Sequence, residues 1–272
     1  MLIYCTFLPA LFMFSGEVMA QGNLLVTPKR VVMEGSKKTE ILNLANIGKD
    51  SATFLISFIQ IRMKEDGTFE KITEPDSAQY FADKYVRIFP RTVTLAPNEA
   101  QTVRIQLTKL SEMLPGEYRS HLYFRAVPSG KPLGEKEVST DTSITVKLVP
   151  VFGISVPVIL RRGESNAEVS FSDVAFFQHD RMPALKMTFN RKGSMSVYGD
   201  LTVDHISTSG KITQVGTIKG LAVYTPNAKR LFQLLLNKDA GIDYSSGKLR
   251  LTYTDQSEKP FKLAEYELQL RL

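Results

Sequence analysis

Apolar side chains recur at every second position in short runs from residue 24 onward, and nearly every run is closed by Gly, Pro, Asn or Asp. Alternation at period two places successive side chains on opposite faces of an extended strand, so each run can bury one face and leave the other in water. Residues 24–33 (LLVTPKRVVM), 39–45 (TEILNLA), 52–63 (ATFLISFIQIRM), 85–95, 101–107 and 119–127 all read this way. No stretch of helical period exceeds a turn or two, and residues 78–85 are the best candidate for a short helix. Short strands with turn signals at close intervals predict an antiparallel sandwich of immunoglobulin type.

A long apolar run follows at 142–160 (TSITVKLVPVFGISVPVIL), interrupted by Pro150, Gly153 and Pro157. Proline cannot donate to a ladder, so the interruptions suit an edge strand or one that bends out of a sheet. After Arg161-Arg162-Gly163-Glu164 the alternation begins afresh, at 167–177, 184–190, 196–206, 211–224, 230–236, 247–254 and 261–271. Gly193 and Gly199, flanking Tyr198, predict tight turns or bulges. The expected fold class is therefore all-β, two immunoglobulin-like sandwiches, divided into 21–161 and 162–272.

Residues 1–20 read as an export signal. Leu2 to Phe14 is apolar but short for a bilayer span, and Val18-Met19-Ala20 is a small-x-small ending before Gln21. The usual basic n-region is missing, which leaves open a translation start upstream of Met1, and an uncleaved anchor also stays open. Cys5, the only cysteine, lies inside this segment, so the processed chain is expected to hold no disulfide and no sulfur-ligated metal.

The formal net charge is +6 and the pI about 9.2, but the basic residues are scattered singly along the strands. That pattern reads as a solubilising surface, with no basic helix and no aromatic–basic platform for nucleic acid. His121, His179 and His205 are far apart and lack HExxH spacing, and no serine sits in a G-x-S-x-G elbow. Asp200 and Asp204 share a strand face without further oxygen ligands, a poor calcium site. The chain is accordingly expected to be no enzyme and to need no cofactor, metal or small-molecule substrate.

Three clusters of residues carry a resemblance. TPKRVVMEG spans 27–35; Pro90, Leu95, Pro97 and Arg104 sit in FPRTVTLAPNEAQTVRIQL; Glu117, Tyr123, Phe124 and Pro128 lie in the segment after LPG. In order and spacing these resemble the N-terminal domain of PapD-like periplasmic chaperones, the chaperone-usher family that holds pilus subunits for an outer-membrane usher. The likeness covers roughly 24–160 and is weaker in the second half. It implies an L-shaped pair of sandwiches in the periplasm, a secreted pilus-type subunit as protein client, and an usher as a partner whose involvement the sequence leaves open. An alternative from another class is a structural or adhesive immunoglobulin-like surface protein that is itself an assembly component.

In that family the chaperone lends a strand to a subunit whose sandwich lacks one, a mode in which backbone bonds complete the sheet and alternate side chains fill the groove. The resemblance places this strand in the run from 142, with Ile144, Val146 and Leu148 on one parity as client-binding residues. Burial of three such side chains supplies about 1.5 to 3 kcal/mol each before association costs. The other reading is that they line the protein's own core. The family also clamps the subunit's terminal carboxylate between an arginine and a lysine. Arg30 matches the arginine, with a structural role at a sheet edge as its alternative, whereas Ser155 stands where the lysine is expected. Lys147 has the wrong parity, and Arg161 or Arg162 could substitute only in a rearranged cleft.

Overall fold

The computed structural model describes residues 24–128, 151–238 and 241–270. Its described strands are β1 (Leu24–Thr27), β2 (Val31–Met33), β3 (Thr39–Asn46), β4 (Ala52–Met63), β5 (Phe69–Ile72), β6 (Val86–Phe89), β7 (Thr92–Leu95), β8 (Ala100–Leu107), β9 (Gly116–Val127) and β10 (Gly153–Arg162) in the first half. The second half adds β11 (Glu168–His179), β12 (Met182–Lys192), β13 (Val197–Ile206), β14 (Ile212–Val223), β15 (Lys229–Leu235), β16 (Lys248–Asp255) and β17 (Lys262–Gln269). The expected all-β class, in two sandwiches, is the one observed.

The first sandwich packs a sheet of order β1-β3-β8-β6 on a sheet of order β2-β10-β9-β4-β5, with β7 also paired to β4. Residues 24–33, expected as one strand, are two. Pro28 cannot donate to the ladder, and the chain leaves β3, which β1 meets antiparallel, to run parallel to β10 as β2. Pro90 divides 85–95 in the same way into β6 and β7. The core lies between the sheets, with Leu42, Leu44, Val103 and Ile105 facing Leu122, Phe124, Val158 and Leu160.

The second sandwich packs β11-β12-β15 on β14-β13-β16-β17. Along β13 buried and half-buried residues alternate without a break, the period read from sequence made physical. Phe189 sits edge-on to Phe171 and Tyr253, at 4.9 and 5.2 Å between ring centroids. The buried Tyr253 hydroxyl donates to the Leu221 carbonyl at 2.6 Å, so its polar end is satisfied. The register of β13 against β14 shifts between Gly199 and Leu201, the bulge expected there. A Cβ on Gly199 would lie 2.3 Å from the Thr254 carbonyl oxygen, so the close approach of β16 requires glycine.

The helix expected over 78–85 is reduced to one 3-10 turn, Asp83–Tyr85. Ala78 takes a positive φ of 62°, which stops an α-helix, and the Ala82 and Asp83 amides donate to Ser120 Oγ on β9. A side chain of the sheet thus satisfies amides that a helix would have left for its own turn.

Candidate functional site

The two sandwiches meet where β9 and β10 of the first face β13, β14 and the β14–β15 turn of the second. Met63, Ile159, Ala222 and Tyr224 form a buried apolar floor there, with Val32 and Tyr198 packed against it. Beside the floor Glu117 is wholly buried, yet it accepts from four groups: the Ser196 amide at 3.1 Å, Ser196 Oγ at 2.7 Å, Arg161 Nε at 3.0 Å and Thr225 Oγ1 at 3.3 Å. Three of these donors belong to the second sandwich, so a carboxylate on β9 fastens one sandwich to the other. The β4–β5 hairpin adds backbone contacts, since the Glu65 carbonyl accepts from the Leu231 amide at 2.7 Å and the Met63 carbonyl from Asn227 Nδ2 at 2.8 Å.

A cleft of about 320 Å³ opens at this junction, and Arg30, His121, Ser155, Tyr198, Tyr224 and Arg230 are among its lining residues. Arg30 and Ser155, which sequence comparison placed in one cleft, do line the same one. The Arg30 guanidinium stacks 4.1 Å from the centroid of the Tyr198 ring, while its Nε and Nη2 are buried with no hydrogen-bond partner among the described residues. Arg119, buried at 3% exposure, lies 4.2 Å over Tyr224. Its Nη2 reaches the Ile61 and Thr225 carbonyls only at 3.4 Å, and Nε and Nη1 have no partner among the described residues. Arg230 donates Nη1 to the Ala222 carbonyl and leaves Nε buried without a partner among the described residues. No carboxylate lines the cleft among the described residues.

Desolvation has the expected electrostatic effect on these groups. Burial lowers the pKa of Arg119, and the like charge of Arg30 adds to the shift, against the pull of Tyr224 and Glu117. Burial also lowers that of Arg230. His121, buried next to Arg119, is held down to about 3 by burial first and by that charge second, so the imidazole is neutral at ordinary pH. Its Nδ1 has no partner among the described residues, and Phe69 meets its ring edge-on at 6.0 Å. The two other arginines considered as replacements for the missing lysine are engaged elsewhere. Arg161 is held by Glu117 and the Ser196 carbonyl, and Arg162 donates to the Leu110, Ser111 and Met113 carbonyls.

A free strand edge borders the cleft. The Phe152 carbonyl accepts from the Ala126 amide at 3.0 Å, and the register continues as Ile154↔Phe124 and Val156↔Leu122. In an antiparallel ladder the hydrogen-bonding groups of adjacent residues point to opposite sides. The backbone groups of Gly153 and Ser155 and the Pro157 carbonyl therefore face away from β9. On that side the ladder with β2 starts at Val158↔Val31, which engages the Pro157 carbonyl, and no described strand pairs with Gly153–Val156. Pro157 fits because its missing N–H falls on the unpaired side. Ile144, Val146 and Leu148 lie outside the described residues.

Sequence reasoning placed Arg30 but missed Arg230 as a cleft residue and Arg119 as a buried cation behind it. Nothing in the local sequence marks either as buried, and only the tertiary pairing of β9 with β10 and of β15 with β12 brings them to one junction.

No protein-family model and no curated protein matches the chain. Solved structures resemble it along most of its length. The class 5 fimbriae chaperone CfaA is 13% identical with a TM-score of 0.46, over 92% of this chain and 100% of that one. The CupB2 chaperone of Pseudomonas aeruginosa is 14% identical with a TM-score of 0.45, over 90% and 100%. A pre-assembly complex of the chaperone CsuC with the tip adhesion subunit CsuE, from Csu pili of Acinetobacter baumannii, matches at 11% identity and a TM-score of 0.45, over 89% and 98%.

Proposed function

We propose that this protein is an exported, periplasmic chaperone that binds an incomplete immunoglobulin-like pilus or related surface subunit by strand addition and delivers it for outer-membrane assembly. The observation that carries the reading is the edge of β10 over Gly153–Val156, unpaired among the described residues, running alongside a cationic cleft that no described carboxylate lines. An exposed edge invites another strand, and proteins that do not use such an edge cover or charge it. Here the side chains along it are Gly153, Ile154, Ser155 and Val156, none of them charged.

Strand addition and carboxylate capture cooperate in this geometry. A subunit segment paired to β10 gains backbone hydrogen bonds, and Ile144, Val146 and Leu148, just upstream, would fill its open groove. The subunit's terminal carboxylate then meets Arg30 in a cleft floored by Met63, Ile159 and Tyr224, where charge-assisted bonds are less screened than in water. The chain acts by binding and not by catalysis.

The test is capture of a subunit in the periplasm. Wild-type protein should co-purify with an incomplete β-sandwich subunit, and Val146→Asp with Leu148→Asp should not, because the groove would have to bury two charges. Undiminished capture by the folded double variant would sink the strand-donor reading, and unfolding of that variant would assign the two residues to the protein's own core.

A further inference from the structure

The lysine expected beside Arg30 is replaced by Ser155, which carries no charge, and Arg161 and Arg162 are bound to other partners. A single half-buried guanidinium would leave one side of a bound carboxylate without a buried donor, and Lys29, which also lines the cleft, is exposed. The second sandwich supplies a guanidinium to the same cleft. Arg230, on β15, lines it together with Arg30, although 200 residues separate the two in sequence.

Arg230 is held in place from three sides. Its Nη1 is tied to the Ala222 carbonyl, and its guanidinium carbon lies 5.6 Å from the Phe232 ring centroid. It also lies against the β4–β5 turn, where a Cβ on Gly67 would sit 2.7 Å from Nε and Nη2. Gly67 has a φ of +82°, so the turn itself calls for glycine. This fixes the side chain without satisfying it, because Nε remains buried with no acceptor among the described residues. A donor arranged this way, in one cleft with Arg30 atoms in the same condition, is prepared for an acceptor that comes from outside the chain. Arg119 does not compete for the role, since it lies beneath Tyr224 and does not line the cleft; it adds positive potential from behind.

We infer that Arg230 supplies the second cation of the carboxylate site, so that one bound terminal carboxylate bridges Arg30 on the first sandwich and Arg230 on the second. This rests on the carboxylate-binding reading proposed above. The bridge makes recognition depend on the junction of the two sandwiches and not on the first alone, which selects for a chain end that reaches the junction.

The test uses the full chain and a small probe. Arginine Nε–H signals of 15N-labelled protein, assigned with Arg30→Lys and Arg230→Lys, are followed during titration with propionate, with propionamide as the uncharged control. Both Nε–H signals should move along one saturation curve, propionamide should move neither, and Arg230→Ala should weaken propionate binding by about tenfold or more. If Arg30 alone responds and Arg230→Ala leaves the affinity unchanged, the bridge is overturned while the carboxylate reading stands. A response of Arg230 alone overturns the bridge as well. If neither signal moves, the carboxylate reading fails and the bridge with it.

Discussion

Glu117→Ala tests whether the two sandwiches are fastened by a single buried carboxylate. The side chain has no exposed surface, and Arg161, its charged partner at 3.0 Å, is only 17% exposed, so little solvent screening weakens the pair. Removing one member of a buried pair leaves the other desolvated, at a cost of about 3 to 5 kcal/mol. The Ser196 amide and hydroxyl and the Thr225 hydroxyl lose their acceptor in the same step, which argues against the low end of that range. For a chain of this size each kcal/mol moves the melting temperature by about 2 to 4 °C, so a fall of about 6 to 20 °C is expected in calorimetry. Three of the four bonds cross between sandwiches, and the variant should therefore also split the transition, with each sandwich melting separately. A double-mutant cycle with Arg161→Met isolates the pair and should return a coupling above about 1 kcal/mol. A folded Glu117→Ala protein that melts in one transition within about 2 °C of the wild type would refute the reasoning, because a satisfied buried carboxylate cannot be removed at so little cost.

Arg30→Ala should weaken the subunit complex by about 2 kcal/mol, the low end for a charge facing a carboxylate because Arg30 is half-buried. The free protein should lose only the stacking on Tyr198, about 0.5 to 1 kcal/mol, and a larger drop in its melting temperature would assign Arg30 a structural role instead. Ser155→Pro removes one amide from the open edge of β10 without touching the β9 ladder; pull-down affinity should fall by about 0.5 to 1.5 kcal/mol with unchanged stability, and a destabilised free protein would show that the amide already has a partner. His121 is neutral in the folded protein down to about pH 3 but takes up a proton near pH 6.5 when unfolded, so its contribution is complete above that upper value and is lost as pH falls toward the lower one. Denaturation between pH 7 and 4.5 should show stability falling by up to about 1.4 kcal/mol per pH unit from this one group, and His121→Leu should remove that slope; equal slopes in both proteins would contradict the burial.

The strands were legible because burial on one face writes itself into the sequence at period two. β4 spans 52–63 as read, and the strands of the second sandwich fall within about two residues of their expected runs, the usual scatter of strand boundaries. β5 was not legible, for FEKI is largely exposed and has no alternation to betray it. Yet this short strand sets the β4–β5 turn against Arg230 and the Glu65 carbonyl against β15. Residues 24–33 read as one strand across Pro28, because nothing local says that the chain after it changes sheets and runs parallel to β10; that depends on which edge β10 leaves free.

The site was less legible than the fold for a reason that lies in the same alternation. A cation at an outward position of a strand looks identical in sequence whether it meets water or a second domain, and Arg119 and Arg230 both read as solubilising residues. Their burial comes from the docking of two sandwiches, which Glu117 enforces through Ser196, 79 residues away. That dependence gives the cleft a property that no single strand could encode. If Glu117 holds the sandwiches at one angle, then Arg30 and Arg230 are held in one cleft by the same bond, and loosening the junction must weaken carboxylate binding without altering either arginine. Glu117→Gln offers the gentler perturbation, since it keeps the shape of the side chain while removing its charge. Its propionate affinity should fall although both guanidiniums remain, whereas an unchanged affinity would mean that the cleft keeps its geometry without the fastening carboxylate.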